Sequence, residues 1–186
     1  MYKLCKTEES TSRQKQLEDG LLQAMKSQLL EDISVSDLCK QLGVPRNTFY
    51  RSFSDKEGAL LALMDHTLME CNRNSFSNWK GCSKLEFSDI EAFFIFWNAK
   101  REFIDVIAKN NLFWMLIDRC NLLLDNQKKS THSARDLTNF AKEQADYIFL
   151  YVMMTILFRW SYYGFPGTPQ EMANVAYEMF GSFSIV

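Results

Sequence analysis

The stretch from Ile33 to Leu60, ISVSDLCKQLGVPRNTFYRSFSDKEGAL, decides the fold of this chain. It holds two short helical patterns separated by Leu42-Gly43-Val44, and a third that opens at Ser54. Ser34 stands three residues ahead of Asp37, and Ser54 three ahead of Glu57. Both pairs have capping-box spacing, in which the serine oxygen accepts an orphan backbone N–H and the acid reaches back. Val35, Leu38, Cys39 and Leu42 make one apolar face for the first short helix. Gly43 falls where that helix must stop and the chain must turn, in a left-handed conformation that only glycine takes without steric cost. Pro45 suits the first turn of the next helix, where its missing N–H has no partner to lose. Two short helices joined by a tight glycine turn are the signature of a helix-turn-helix.

The chain around this stretch is helical in texture. Its 186 residues suffice for one compact unit or for a small domain plus a larger one. Hydrophobic residues at 47% and aromatics at 14% allow a sizeable core and exclude global disorder. Seven glycines and three prolines favour long helices over a loop-rich β fold. A net charge of −2 excludes a chain that coats nucleic acid by charge alone, while a site-specific binder needs only a local basic patch. Five scattered cysteines without a C-x-x-C pair imply neither a disulfide framework nor a metal site, and reduced thiols fit a cytoplasmic protein. The N-terminus has no apolar h-region and does not read as a signal peptide. The longest apolar run, Tyr147 to Phe158, is twelve residues. A membrane helix needs roughly 20, so no membrane association is expected.

Met1 to Ser10 reads as a short polar arm, and Thr11 with Gln14 as the capping box of a first helix carrying Leu17, Leu21, Leu22, Met25 and Leu29. A longer helix follows the central stretch, with Ala59, Leu60, Leu63, Met64 and Leu68 on one side, and fades between Asn72 and Lys84. A dense aromatic helix then carries Phe93, Phe94, Phe96, Trp97 and Phe103, and Lys109-Asn110-Asn111 interrupts it. Leu112 to Leu124 is the next helix, and Asp125 to Asp136 a polar loop. Phe140 to Tyr163 is a long helix, apolar nearly all round in its middle. Gly164-Phe165-Pro166-Gly167 stops it, and a last helix carries Met172, Val175, Ala176, Met179 and Phe180.

The run Val35 to Leu60, with Gly43-Val44, Thr48-Phe49-Tyr50-Arg51, Phe53 and Lys56-Glu57, closely resembles the DNA-binding segment of TetR-type transcriptional regulators. Residue types and gap lengths agree over more than two dozen positions. Near the end, Ile156 to Trp160, Gly164 and Thr168 to Met172 look like the last two helices of many such proteins, in a looser pattern. The resemblance implies an all-α protein. Residues 1–54 would be a three-helix helix-turn-helix head, 55–78 a connecting helix, and 79–186 a helical-bundle body for ligand binding and dimerisation. It also implies that the final two helices pair with their copies in a four-helix interface, which would place Phe149, Met153, Ile156, Trp160, Met172, Val175 and Met179 at the contact.

Arg46, Asn47 and Thr48 fall in the first turn of the second short helix, the one that would enter the major groove. Arginine matches the edge of guanine and asparagine that of adenine, although the same three residues also suit a solvated polar face. Phe49 and Phe53, four apart, read as core. Tyr50 faces away from Phe49, and its hydroxyl can donate to a phosphate oxygen, as the matching tyrosine of the family does. Lys56 stands in the first turn of the next helix, where the backbone favours an anion, and the family's matching lysine contacts phosphate. Ser34 and Ser36 match positions that often touch the other strand's phosphates, and Arg51 and Lys40 add charge. Two departures stand out: Ser52 occupies a position where many relatives carry histidine, and Pro45 replaces a common serine or threonine.

The aromatic helices could line a mostly apolar ligand cavity, with Trp97, Phe113, Trp114, Tyr147 and Tyr151 as candidate lining residues, although an aromatic stripe at helical spacing is more often plain core. His66 and His132 lack metal-ligand company, and no nucleophile elbow, dinucleotide loop, P-loop or zinc-helix motif occurs, so neither an enzyme nor a cofactor is expected. The reading is a homodimeric, sequence-specific regulator on an inverted-repeat operator in double-stranded DNA, a repressor released by a small-molecule effector. The alternative is an activator or co-regulator whose body binds a protein partner.

Overall fold

The computed structural model describes residues 2–3, 7–76, 85–128 and 137–182. Among these the elements are helices joined by short turns: α1 (Glu8–Met25), a 3₁₀ turn (Leu30–Asp32), α2 (Val35–Gln41), α3 (Arg46–Ser52), α4 (Lys56–Ser75), α5 (Phe87–Ala99), α6 (Arg101–Lys109), α7 (Phe113–Lys128), α8 (Leu137–Tyr162) and α9 (Pro169–Ser182). The chain divides into two compact units, one of Met1–Thr67 with Lys109–Leu112, the other of Leu68–Ala108 with Phe113–Val186. The division falls inside α4.

In the first unit α1 buries Leu17, Leu21 and Met25, α2 buries Leu38 and Cys39, and α3 buries Phe49. Phe49 and Phe53 pack with ring centroids 5.2 Å apart. Gly43 has φ +65° and open space around its missing Cβ, so the turn needs glycine for its backbone and not for room. Gly20 is the opposite case. A Cβ there would lie 2.5 Å from Leu42 Cδ1, so this glycine lets α1 and α2 approach. Lys109 Nζ donates to Lys26 O (2.6 Å), and Leu30 N donates to Asn110 Oδ1 (2.9 Å), which satisfies backbone groups after α1.

Several expected boundaries shift. Helix α1 begins at Glu8 because Thr7 and Ser10 form its capping box, with Ser10 N donating to Thr7 Oγ1 at 3.2 Å. Thr11 and Gln14 therefore lie inside the helix, and Leu29, beyond its end, is 40% exposed. At α4 the cap is Asp55, not Ser54: Asp55 Oδ1 accepts from Gly58 N at 2.6 Å, a charged and hence stronger acceptor. Ser54 supports it by donating to Asp55 Oδ2. Pro45 is the N-cap of α3 and stands just outside its first turn. Tyr2 and Lys3 are not a free arm. Tyr2 forms a β-bridge with Phe53, Lys3 N donates to Ser52 O (2.9 Å), and Tyr2 Oη donates to buried Asp65 (2.6 Å).

In the second unit the aromatic stretch is two helices, broken at Lys100, and α7 runs on to Lys128 through part of the expected loop. Residues 129–136, with His132, and 77–84 lie outside the described residues. Helix α8 turns Phe149, Met153, Leu157 and Trp160 inward. Trp160 packs edge-on against Phe94 and Phe165, and its Nε1 donates to Pro166 O at 2.8 Å. Helix α9 lies closely along α5, with the small residues Ala173 and Ala176 fully buried. Thr168 and Glu171 form its capping box, Thr168 N donating to Glu171 Oε2 and Glu171 N to Thr168 Oγ1.

Candidate nucleic-acid interface

Helix α3 rests on Phe49 and Phe53, and that packing decides what it offers outward. Arg46, Asn47, Tyr50 and Arg51 are exposed, and Thr48 is half-buried. Arg46 Nη2 donates to Tyr50 Oη at 3.3 Å, and the guanidinium stands 5.8 Å from the tyrosine ring centre. This (i, i+4) pairing orders two long side chains on the helix surface before any ligand arrives. Among the described residues, no salt bridge engages Arg46, Arg51 or Lys40. The neighbouring acids are occupied instead. Asp37 accepts from Ser34 Oγ, and Ser54 and Gly58 N–H hold the Asp55 carboxyl below its ordinary range. The cations of this face are therefore free to meet a phosphate. Burial pushes the Cys39 thiol up, against the opposing pull of Arg46, which leaves it a packing residue.

Lys56 and Ser34 also make contacts within the head. Lys56 Nζ donates to Glu31 O (2.7 Å) and Ile33 O (3.1 Å), tying the 3₁₀ turn and the entry of α2 to α4. Ser34 is the N-cap of α2, accepting from Asp37 N at 3.0 Å, while Ser36 is exposed in the first turn of that helix. Ser52 is 7% exposed, so burial removes it from any contact. Sequence reasoning missed Tyr2 and Lys3, because no short-range signal links them to Phe53 and Asp65.

In the second unit a cavity of about 120 Å³ is lined by Phe76, Phe93, Trp97 and Phe149, with Asn72 and Asp146 among its polar walls. Of the expected pocket residues only Trp97 lies there. Phe113 packs on Phe158 (4.1 Å between centroids), Trp114 is 72% exposed, Tyr147 donates to Asp125, and Tyr151 Oη accepts from Asn121 Nδ2. The residues expected at a dimer contact are divided. Phe149, Met153 and Trp160 are core residues and Ile156 and Met172 are half-buried, whereas Val175 and Met179 are exposed. The outward stripe of α8 is Ile148, Tyr151, Thr155, Arg159 and Tyr162. Nothing local could fix this register, because both stripes have helical spacing and α8 is apolar on most sides.

No protein-family model matches the chain, and no curated protein matches it in sequence. Solved structures do match. One is described as the dihydroxyacetone kinase operon activator DhaS (TM-score 0.60, 16% identity, 91% of this chain and 94% of that one). A second is the fatty acid degradation regulator FadR from Bacillus halodurans (TM-score 0.59, 13% identity, 98% and 99% covered). A third is the TetR family repressor AlkX from Dietzia sp. strain DQ12-45-1b, implicated in biodegradation of n-alkanes (TM-score 0.54, 16% identity, 90% and 95% covered). Among the described residues no helix is long and apolar enough to cross a membrane, and no cluster suited to a metal ion is present. The chain has the all-α fold of TetR-type regulators, along nearly its whole length and that of the solved structures it resembles.

Proposed function

We propose that this protein is a sequence-specific DNA-binding transcriptional regulator that acts as a homodimer. The observation that carries the reading is the outer face of α3, where Arg46, Asn47, Tyr50 and Arg51 are exposed and, among the described residues, no ion pair occupies the cations. A surface of this kind serves both halves of recognition: Arg46 and Asn47 for base edges, Tyr50 and Arg51 for phosphate oxygens. One such helix reads only a few base pairs, so useful specificity needs two. The outer stripe of α8, where Ile148, Tyr151 and Tyr162 flank Thr155 and Arg159, together with Val175 and Met179 of α9, supports pairing of two copies. The operator is then an inverted repeat with half-sites roughly 34 Å apart. The cavity of the second unit is the proposed seat of an effector that changes operator affinity.

A second reading is that the second unit docks a protein partner. Trp114 at 72%, Ile95 at 54% and Leu122 at 45% exposure favour it. An affinity measurement on a fluorescent random-sequence duplex at about 50 and 200 mM salt tests the head itself. Binding that weakens steeply with salt and is lost in Arg46→Ala/Arg51→Ala supports the reading. Equal binding by that variant would place the DNA contact elsewhere.

A further inference from the structure

We propose that Lys3 is a DNA phosphate contact, held beside the end of α3 by a short strap that Tyr2 anchors. This rests on the DNA-binding reading above and adds to it a residue from outside the helix-turn-helix.

The strap exists because α3 ends in an extended residue. Phe53, its C-cap, has φ −130° and ψ 144°, so its backbone can pair as a strand does, and Tyr2 forms an antiparallel bridge with it. Lys3 N donates to Ser52 O at 2.9 Å, which satisfies a carbonyl that the helix end leaves without an intrahelical partner. Tyr2 supplies the anchor. Its hydroxyl donates to Asp65 Oδ2 at 2.6 Å, a bond to a carboxylate on α4 that is 2% exposed. Its ring stands edge-on to His66, with centroids 5.9 Å apart, and His66 Nδ1 lies 2.9 Å from buried Glu18 of α1. The anchor thus reaches two helices of the head.

Register gives the second step. Successive side chains of an extended segment point to opposite sides. Tyr2 is turned toward α4, and Lys3 is exposed. Its backbone is bonded to the residue that follows Arg51, an exposed cation of α3. Among the described residues no salt bridge engages Lys3 or Arg51, so the strap adds a second open cation at this end of the face. Folding has already fixed the backbone of Lys3, and a phosphate contact costs only the ordering of its side chain. A purely internal role, a cation at the C-terminal dipole of α3, would show in stability and not in DNA binding.

The test uses the full-length protein with Lys3→Gln, Lys3→Arg and Tyr2→Ala, on a fluorescent random-sequence duplex at about 50 and 200 mM salt, with melting followed by scanning fluorimetry. One phosphate contact sets a salt slope of about 0.9, which is about 3.5-fold in affinity between those two concentrations. Lys3→Gln should bind more weakly at the lower salt, lose about 3.5-fold less affinity on going to the higher, and melt with the parent. Lys3→Arg should restore the parent's behaviour. Tyr2→Ala keeps the lysine and loses its anchor, and should share the reduced salt dependence at a temperature where it is folded. Unchanged affinity and salt dependence in Lys3→Gln overturns the inference, and the parent's salt dependence in folded Tyr2→Ala overturns the anchoring. A lower melting temperature in Lys3→Gln with DNA binding unchanged also overturns it and assigns the lysine to the helix end. The underlying reading fails separately. Binding that Arg46→Ala/Arg51→Ala abolishes and Lys3→Gln leaves untouched upholds that reading and refutes the inference, whereas a parent that binds no duplex refutes both.

Discussion

Replacing Lys56 by methionine keeps the apolar stem and removes the ammonium that donates to Glu31 O at 2.7 Å and Ile33 O at 3.1 Å. Hydrogen bonds from a charged donor are worth about 1.5–3 kcal/mol each when sheltered. Lys56 is only half-buried, and the released carbonyls can regain water, which puts the combined loss near the lower end, at about 2 kcal/mol. For a chain of this length the protein should then melt about 6 °C lower. Differential scanning fluorimetry without DNA measures it, alongside the salt dependence of duplex binding. If Lys56 is a clamp, the melting temperature falls and the salt slope stays nearly constant. An unchanged melting temperature with a slope reduced by about one would refute this reasoning and return Lys56 to the phosphate contact that family resemblance implies.

Three further perturbations test other parts of the account. Tyr50→Phe removes one hydroxyl from the α3 face and should weaken binding about fivefold on every duplex alike, whereas a loss confined to certain sequences would make Tyr50 a base reader. Ile148→Arg on the outer stripe of α8 should give folded monomers by light scattering, while Trp160→Ala, a core truncation, should cost about 3–5 kcal/mol of stability. A folded dimer of the arginine variant would move the interface elsewhere. Asp55→Ala deletes the α4 cap and should cost about 1 kcal/mol at pH 7 in urea unfolding. The folded-state pKa of Asp55 is depressed, so its contribution is complete above its ordinary value of 3.8 and is lost as pH falls through the folded value. The gap between variant and parent should therefore close in that acid window, and a gap independent of pH would assign the cap to something other than the carboxylate.

The head was legible because its determinants are local. Gly43, the Ser34–Asp37 cap and the Phe49/Phe53 pair each declare themselves within four residues, and helix geometry converts that spacing into position. Where two neighbouring residues both suited a cap, the choice went astray by one to four positions, as with Thr11 for Thr7 and Ser54 for Asp55. Lys56 shows a different limit. Its place at the start of α4 was readable, but its partners are carbonyls 23 and 25 residues earlier, which only the packed head brings within reach. In the second unit α8 carries large apolar residues on more than one side, and the inward side is selected by Phe94 and Phe165 against Trp160. The pocket was illegible for the same reason. Trp97 and Trp114 look alike in sequence, yet one is fully buried at a cavity and the other largely exposed.

The most direct test of the central claim is selection of binding sites from a random duplex DNA library by the purified protein, with Arg46→Ala/Arg51→Ala as control. The account predicts enrichment of an inverted repeat whose half-sites lie about one helical turn apart, absent from the control. Recovery of the same sequences by the control, or no enrichment by the parent protein, would contradict it.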